Sequence, residues 1–227
     1  MHYSSPHYFP LALPFLLVLF LLVVLLITLI EVGILGYAYE KLGIDRRYVF
    51  TLLALSFFGS YVNIPLFELP AREIISNREV WFFGMNYIVP FVPEWDRTIV
   101  AVNVGGAVLP IALSVYLLVT KKNYLRALIG VAILSVIVYS LAEPVPGVGI
   151  AVPTLVPPIL AAVTALLLDR HNAPPLAYVA GSLGTLIGAD LMNLGKIQGL
   201  GAPIASIGGA GTFDGIFLTG IIAVLLA

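Results

Sequence analysis

Two carboxylates, Asp190 and Asp214, sit in glycine-studded apolar segments: Leu186-Ile187-Gly188-Ala189-Asp190-Leu191-Met192-Asn193 and Gly211-Thr212-Phe213-Asp214-Gly215-Ile216-Phe217. At the centre of a bilayer helix such a group costs roughly 2.5 to 3.5 kcal/mol on insertion scales, and neither segment holds a basic residue to offset it. Two aspartates a few ångström apart do not both ionise readily. They share a proton, so one acts as base toward water while the other polarises a scissile carbonyl. As a catalytic pair, Asp190 and Asp214 would therefore hydrolyse a peptide bond, with no cofactor. The alternative chemistry is a hard cation such as Na+ or Ca2+, or a transported proton, held by the same acidic pocket. Asn63, Asn103, Glu143 and Asn193 supply further oxygens for either site, and Asn193 follows Asp190 by three positions, on the same face of a helix.

These readings need a membrane. The chain is 60% hydrophobic and 10% charged, with a mean hydropathy of +1.07, far from a soluble domain. Leu11 to Ile30 is an uncharged run of 20 residues, enough to cross a core of about 30 Å. It reads as an anchor rather than a cleaved signal, because Met1 to Pro10 carries no Lys or Arg. The absence of cysteine excludes disulfides and thiolate metal sites. A net charge of -1 gives no reason to expect nucleic acid. The expected partners are the lipid bilayer and either a transmembrane peptide substrate or a small cation.

Hydropathy predicts an all-α, polytopic transmembrane helical bundle of about seven spans, near 10–38, 48–67, 99–119, 127–143, 151–168, 175–194 and 205–227. Residues 1–227 form one integral membrane domain on this reading. Lys41, Arg46 and Arg47, then Lys121, Lys122 and Arg126, then Arg170 fall in three loops on one side. The positive-inside rule makes that side cytoplasmic in a plasma membrane, with the N-terminus outside and Ala227 inside. Residues 68–98 become an outer interfacial loop rich in Trp, Tyr and Phe, and 195–211 a glycine-rich outer loop. Pro153, Pro157 and Pro158 predict that the fifth span is broken in its outer half. Ala180, Gly184 and Gly188 predict a close helix contact on span six. At about 1.5 Å per residue, Asp190 and Asp214 both reach the outer part of the bilayer, where they can face one another.

Around Asp214, Gly211-Thr212-Phe213-Asp214 resembles the second catalytic motif of the presenilin and signal-peptide-peptidase group of intramembrane aspartyl proteases, Gly-x-Gly-Asp before an apolar helix. The match spans some nine residues. Phe213 stands where that group has glycine, and Ala189 where it has the tyrosine of Tyr-Asp. The resemblance implies an aspartyl dyad of Asp190 and Asp214. The whole chain is also similar to an uncharacterised family of archaeal and bacterial multi-span membrane proteins, through Ser60-Tyr61-Val62-Asn63-Ile64-Pro65, Asn103-Val104-Gly105-Gly106-Ala107 and the two aspartate segments. That similarity implies a location and no chemistry.

Overall fold

The computed structural model describes residues 17, 20–25, 33–70, 79–82, 85–88, 97–145, 149–197, 204–209 and 215–227. Helices dominate: α1 (Ile34–Leu42), α2 (Val49–Gly59), α3 (Leu109–Lys121), α4 (Tyr124–Leu141), α5 (Val156–Leu168), α6 (Ala173–Thr185) and α7 (Gly215–Leu226). A π-turn, Val104–Val108, leads into α3. Helix α6 runs on through a second π-turn, Leu186–Asp190, a 3-10 turn, Leu191–Asn193, and a last short turn, Leu194–Ile197.

Three continuous helices are long and apolar enough to cross a membrane: Val104–Lys121, Tyr124–Leu141 and Ala173–Ile197. They carry the spans expected at 99–119, 127–143 and 175–194. Shorter apolar helices, Val49–Gly59, Val156–Leu168 and Gly215–Leu226, occupy parts of the spans expected at 48–67, 151–168 and 205–227. The span expected at 10–38 lies mostly outside the described residues. Among those residues three full-length spans are met, not seven.

The all-α expectation is corrected at one end of the bundle. There β1 (Asn63–Pro70), β4 (Arg97–Asn103) and β7 (Ile204–Ile207) form a sheet in the order β1-β4-β7, the first pair antiparallel and the second parallel. Hydropathy registers apolar content and is blind to period. The stretch Thr98-Ile99-Val100-Ala101-Val102 is rich in β-branched residues, which favour a pleated surface over a helix. Pro65 and Pro70 lie in β1, at the sheet edge, where a missing N–H is tolerated, and the register slips between Pro65 and Phe67. Two hairpins complete the strands: β2 (Glu79–Phe82) with β3 (Met85–Ile88), inside the expected outer segment, and β5 (Glu143–Val145) with β6 (Gly149–Ala151). The prolines of the fifth span open a helix rather than interrupt one. Pro157 and Pro158 lie in the first turn of α5, where the absent N–H has no intrahelical partner to lose.

Helix α6 is the centre of the bundle: 72% of its apolar window is buried, against 39% and 28% for the other two long helices. Small residues make this possible. A Cβ on Gly184 would stand 2.5 Å from Leu134 Cβ, and one on Gly188 2.4 Å from the Ser135 carbonyl oxygen, so the Ala180-Gly184-Gly188 ladder seats α4. On another face, a Cβ on Gly220 of α7 would stand 2.4 Å from Ser182 Oγ.

Asp169 fastens the opposite end of the bundle, in the loop before α6. Its Oδ2 accepts from Asn123 Nδ2 at 3.0 Å, Asn172 Nδ2 at 3.2 Å and Arg126 Nη1, and its Oδ1 accepts from the His171 and Asn172 backbone N–H groups. The Asn172 side chain is the largest cause holding this carboxyl below its usual range; the backbone donors and the Arg126 charge add to it against opposing desolvation. A depressed folded pKa means that the stabilisation is full above the unfolded value of about 3.9 and fades as pH falls through the folded one. Asp169→Asn should therefore melt below wild type at pH 7, and the gap should close under acid. A gap in melting temperature that stays constant from neutral to pH 3 would contradict this role.

Candidate functional site

Strand β4 delivers Asn103 to the mouth of the first π-turn. The side chain is 0% exposed. Its Oδ1 accepts from the Gly106 N–H at 2.8 Å, capping the turn, and its Nδ2 donates to the Ser60 carbonyl at 2.7 Å and to Asn63 Oδ1 at 3.1 Å. Asn63 and Asn103 are register partners across β1 and β4. The Ser206 hydroxyl of β7 lies 2.7 Å from Asn63 Oδ1 and 2.8 Å from the Gly209 carbonyl, either of which can take its proton. All three strands thus converge on one polar knot.

Glycines bring the backbones around it into contact. A Cβ on Gly105 would stand 2.1 Å from the Ser56 carbonyl oxygen, and one on Gly106 1.9 Å from the Gly208 carbonyl oxygen. Gly208 itself has φ +89°, open to glycine at no steric cost. On its other side the Gly208 N–H donates to Asp190 Oδ2 at 2.7 Å. Asp190 is thereby tied to the same knot through one residue.

Asp190 closes the second π-turn, where α6 leaves regular geometry. π-turns inside helices recur at functional sites. Three residues on, Asn193 is 0% exposed. Its Nδ2 donates to the Gly188 carbonyl at 3.0 Å and to the Ala189 carbonyl at 2.9 Å, and its Oδ1, equally buried, has no hydrogen-bond partner. The amide orientation follows from those two carbonyls, since a flipped amide would set oxygen against oxygen. An orphaned buried acceptor costs about 1 to 3 kcal/mol. The Thr185 hydroxyl of α6 is also buried without a partner.

A family model described as a protein of unknown function, DUF1614, matches residues 57–226. The chain belongs to the DUF1614 family. This agrees with the similarity to an uncharacterised membrane-protein family, and nothing in the comparisons supports the aspartyl-protease resemblance. No curated protein and no solved structure matches the chain. The DUF1614 region contains every residue of the polar knot, Asp190 and Asn193.

Of the residues singled out in the sequence, Asn63 and Asn103 touch, Asp190 joins them through Gly208, and Asn193 lies beneath the same helix break. Among the described residues no hydrogen bond joins Glu143 to them. It is exposed at the start of β5, opposite Ala151, because the chain leaves α4 there for a hairpin. Asp214 lies outside the described residues, one position before α7. The sequence reading missed Ser60, Ser206 and Gly208. Ser206 sits between apolar neighbours in a glycine-rich stretch, and the one available signal was the alternation Ile204-Ala205-Ser206-Ile207, too short to fix a strand.

Proposed function

We propose that this DUF1614 protein is an integral membrane protein that binds a proton or a hard cation, Na+ or Ca2+, at the Asp190–Asn193 break and couples that binding to transport. The observation that carries this reading is the buried, unpartnered Asn193 Oδ1 beside Asp190, in a helix long enough to span a bilayer. A fixed acceptor oxygen and a carboxylate on one broken helix are a donor set for a hard ion or a hydronium-bound water. Transporters use discontinuous helices in this way, with unwound backbone carbonyls among the ligands.

One arrangement favours a second reading, an aspartyl hydrolase acting on transmembrane peptides through Asp190 and Asp214. Helix α7, which follows Asp214 directly in sequence, packs along α6, which leads to Asp190. The two readings part in liposomes holding the purified protein. Ion coupling predicts cation- or proton-dependent flux that Asp190→Asn abolishes, with no peptide cleaved; hydrolysis predicts the reverse.

The same reading keeps one integral domain in a plasma membrane, the N-terminus outside and the C-terminus cytoplasmic, as the basic loops suggest. Single cysteines replacing Met85 and Leu200 should then react with an impermeant reagent from outside intact cells, and one replacing Lys122 should not. Labelling of position 122 from outside would invert the topology and move the acidic site to the cytoplasmic half.

A further inference from the structure

We propose that the cleft between α2 and α3 binds one anionic phospholipid, with an acyl chain along the cleft and the headgroup at Lys121 and Lys122. This inference needs the membrane location and does not depend on the chemistry at Asp190 and Asn193.

Tyr48, the residue before α2, and Thr51, Leu55 and Phe58 on it recur at helical spacing and form one stripe. It faces a stripe on α3 that includes Leu109, Ala112 and Tyr116. The helices are pinned together at one end, where Gly105 abuts Ser56 and Gly59. Beside that contact and beyond it they leave two cavities, of about 460 Å³ and about 590 Å³. Both are lined by Thr51, Leu109 and Ala112, so the two run into one groove. Each falls within the range of about 300 to 1,000 Å³ that small-molecule sites occupy. The walls are apolar and open: Leu55 is 54% exposed and Phe58 68%.

Charge distinguishes the two ends. The glycine contact closes one end. Gly43 lines the other, and Lys121 Nζ lies 3.1 Å from the point where a Gly43 Cβ would stand, which sets an ammonium group at the mouth. Lys122 follows it, exposed. Among the described residues neither lysine pairs with a carboxylate, whereas Arg47, nearby in sequence to the groove residues Asp45 and Tyr48, is paired with Asp45 at 3.0 Å. Tyr48 and Tyr116 flank the mouth with the amphipathic rings favoured at a membrane interface. An apolar groove with an unpaired ammonium group at its mouth and a second lysine next in sequence matches one diacyl lipid with an anionic head. It matches a zwitterionic lipid, or an apolar helix, less well. Basic pockets between helices on the cytoplasmic side bind anionic headgroups by the same logic.

Native mass spectrometry of the full chain, purified with equal phosphatidylglycerol and phosphatidylcholine, tests the proposal. Wild type should retain one phosphatidylglycerol in preference to phosphatidylcholine. Lys121→Gln and Lys122→Gln should each lower that preference about fivefold. Ala112→Trp, which fills the groove from an exposed position, should lose the lipid, while Leu128→Trp on the exposed side of α4 should keep it. Thr51→Trp provides a second groove-filling variant, and melting curves identify any that fail to fold. Equal retention of the two lipids, lipid retained by both folded groove-filling variants, or a lipid-free dimer that either variant splits, would overturn the proposal.

Discussion

Gly106→Ala is expected to prevent this protein from accumulating in folded form, whereas Gly195→Ala should behave as wild type. The new methyl group at position 106 would lie 1.9 Å from the Gly208 carbonyl oxygen. That obstacle is backbone, held by the β4–β7 ladder on one side and by Asp190 on the other. Overpacking against side chains typically costs 1 to 3 kcal/mol. Here no rotamer can yield, so the loss should exceed about 3 kcal/mol, out of a total stability of roughly 5 to 15. It would also displace Gly106 N–H from Asn103 Oδ1 and open the polar knot. At Gly195 a methyl group meets nothing within 4 Å. The yield of monodisperse protein in detergent, with its melting temperature, decides the matter; a Gly106→Ala variant melting within a degree or two of wild type would refute the close approach.

The second large effect concerns Asp190 and Asn193, whose replacement should separate folding from ligand response. Asp190→Asn keeps a side-chain oxygen that can accept from Gly208 N–H, so the tie to the knot survives while the charge is lost. The variant should fold and fail to respond to the ion. Asn193→Leu removes the donor that satisfies the Gly188 and Ala189 carbonyls, at about 1 to 3 kcal/mol for each acceptor left bare, and also removes the orphaned oxygen. It should be less stable and equally unresponsive. Normal ion-coupled flux in either variant would remove that residue from the site.

Composition was enough to predict a bundle of apolar helices, and the three that are long and apolar enough to cross a membrane lie where apolar runs are long and uninterrupted. What hydropathy could not supply was the strand end. Ile64, Ile99, Val100 and Val102 are as apolar as any helical residue, and a window average discards the β-branching that sets them apart. Asn63 and Asn103 were found because an amide at the end of an apolar run is conspicuous, but their mutual contact depends on a β register that no single segment encodes. Glu143 shows the same limit: a hairpin begins where a helix was expected to end. The glycines are the clearest case. Gly106 and Gly195 look alike in the sequence, and only tertiary contact shows that one is irreplaceable and the other free. Asp190 was the most readable feature, because a charge in an apolar helix is costly wherever the helix lies.

The most direct test of ion binding is the melting temperature of wild type, Asp190→Asn and Asn193→Leu, each titrated with Na+, with Ca2+ and with pH at constant ionic strength. A ligand that binds only the folded state stabilises by mass action, about 2.7 kcal/mol at a hundredfold excess over its Kd. Wild type should show a saturable rise with one cation, or with protons, and not with the others, and both variants should lose it. Wild-type curves that are indifferent to ion identity and to pH, or variants that track wild type, would contradict a proton or cation site at Asp190 and Asn193.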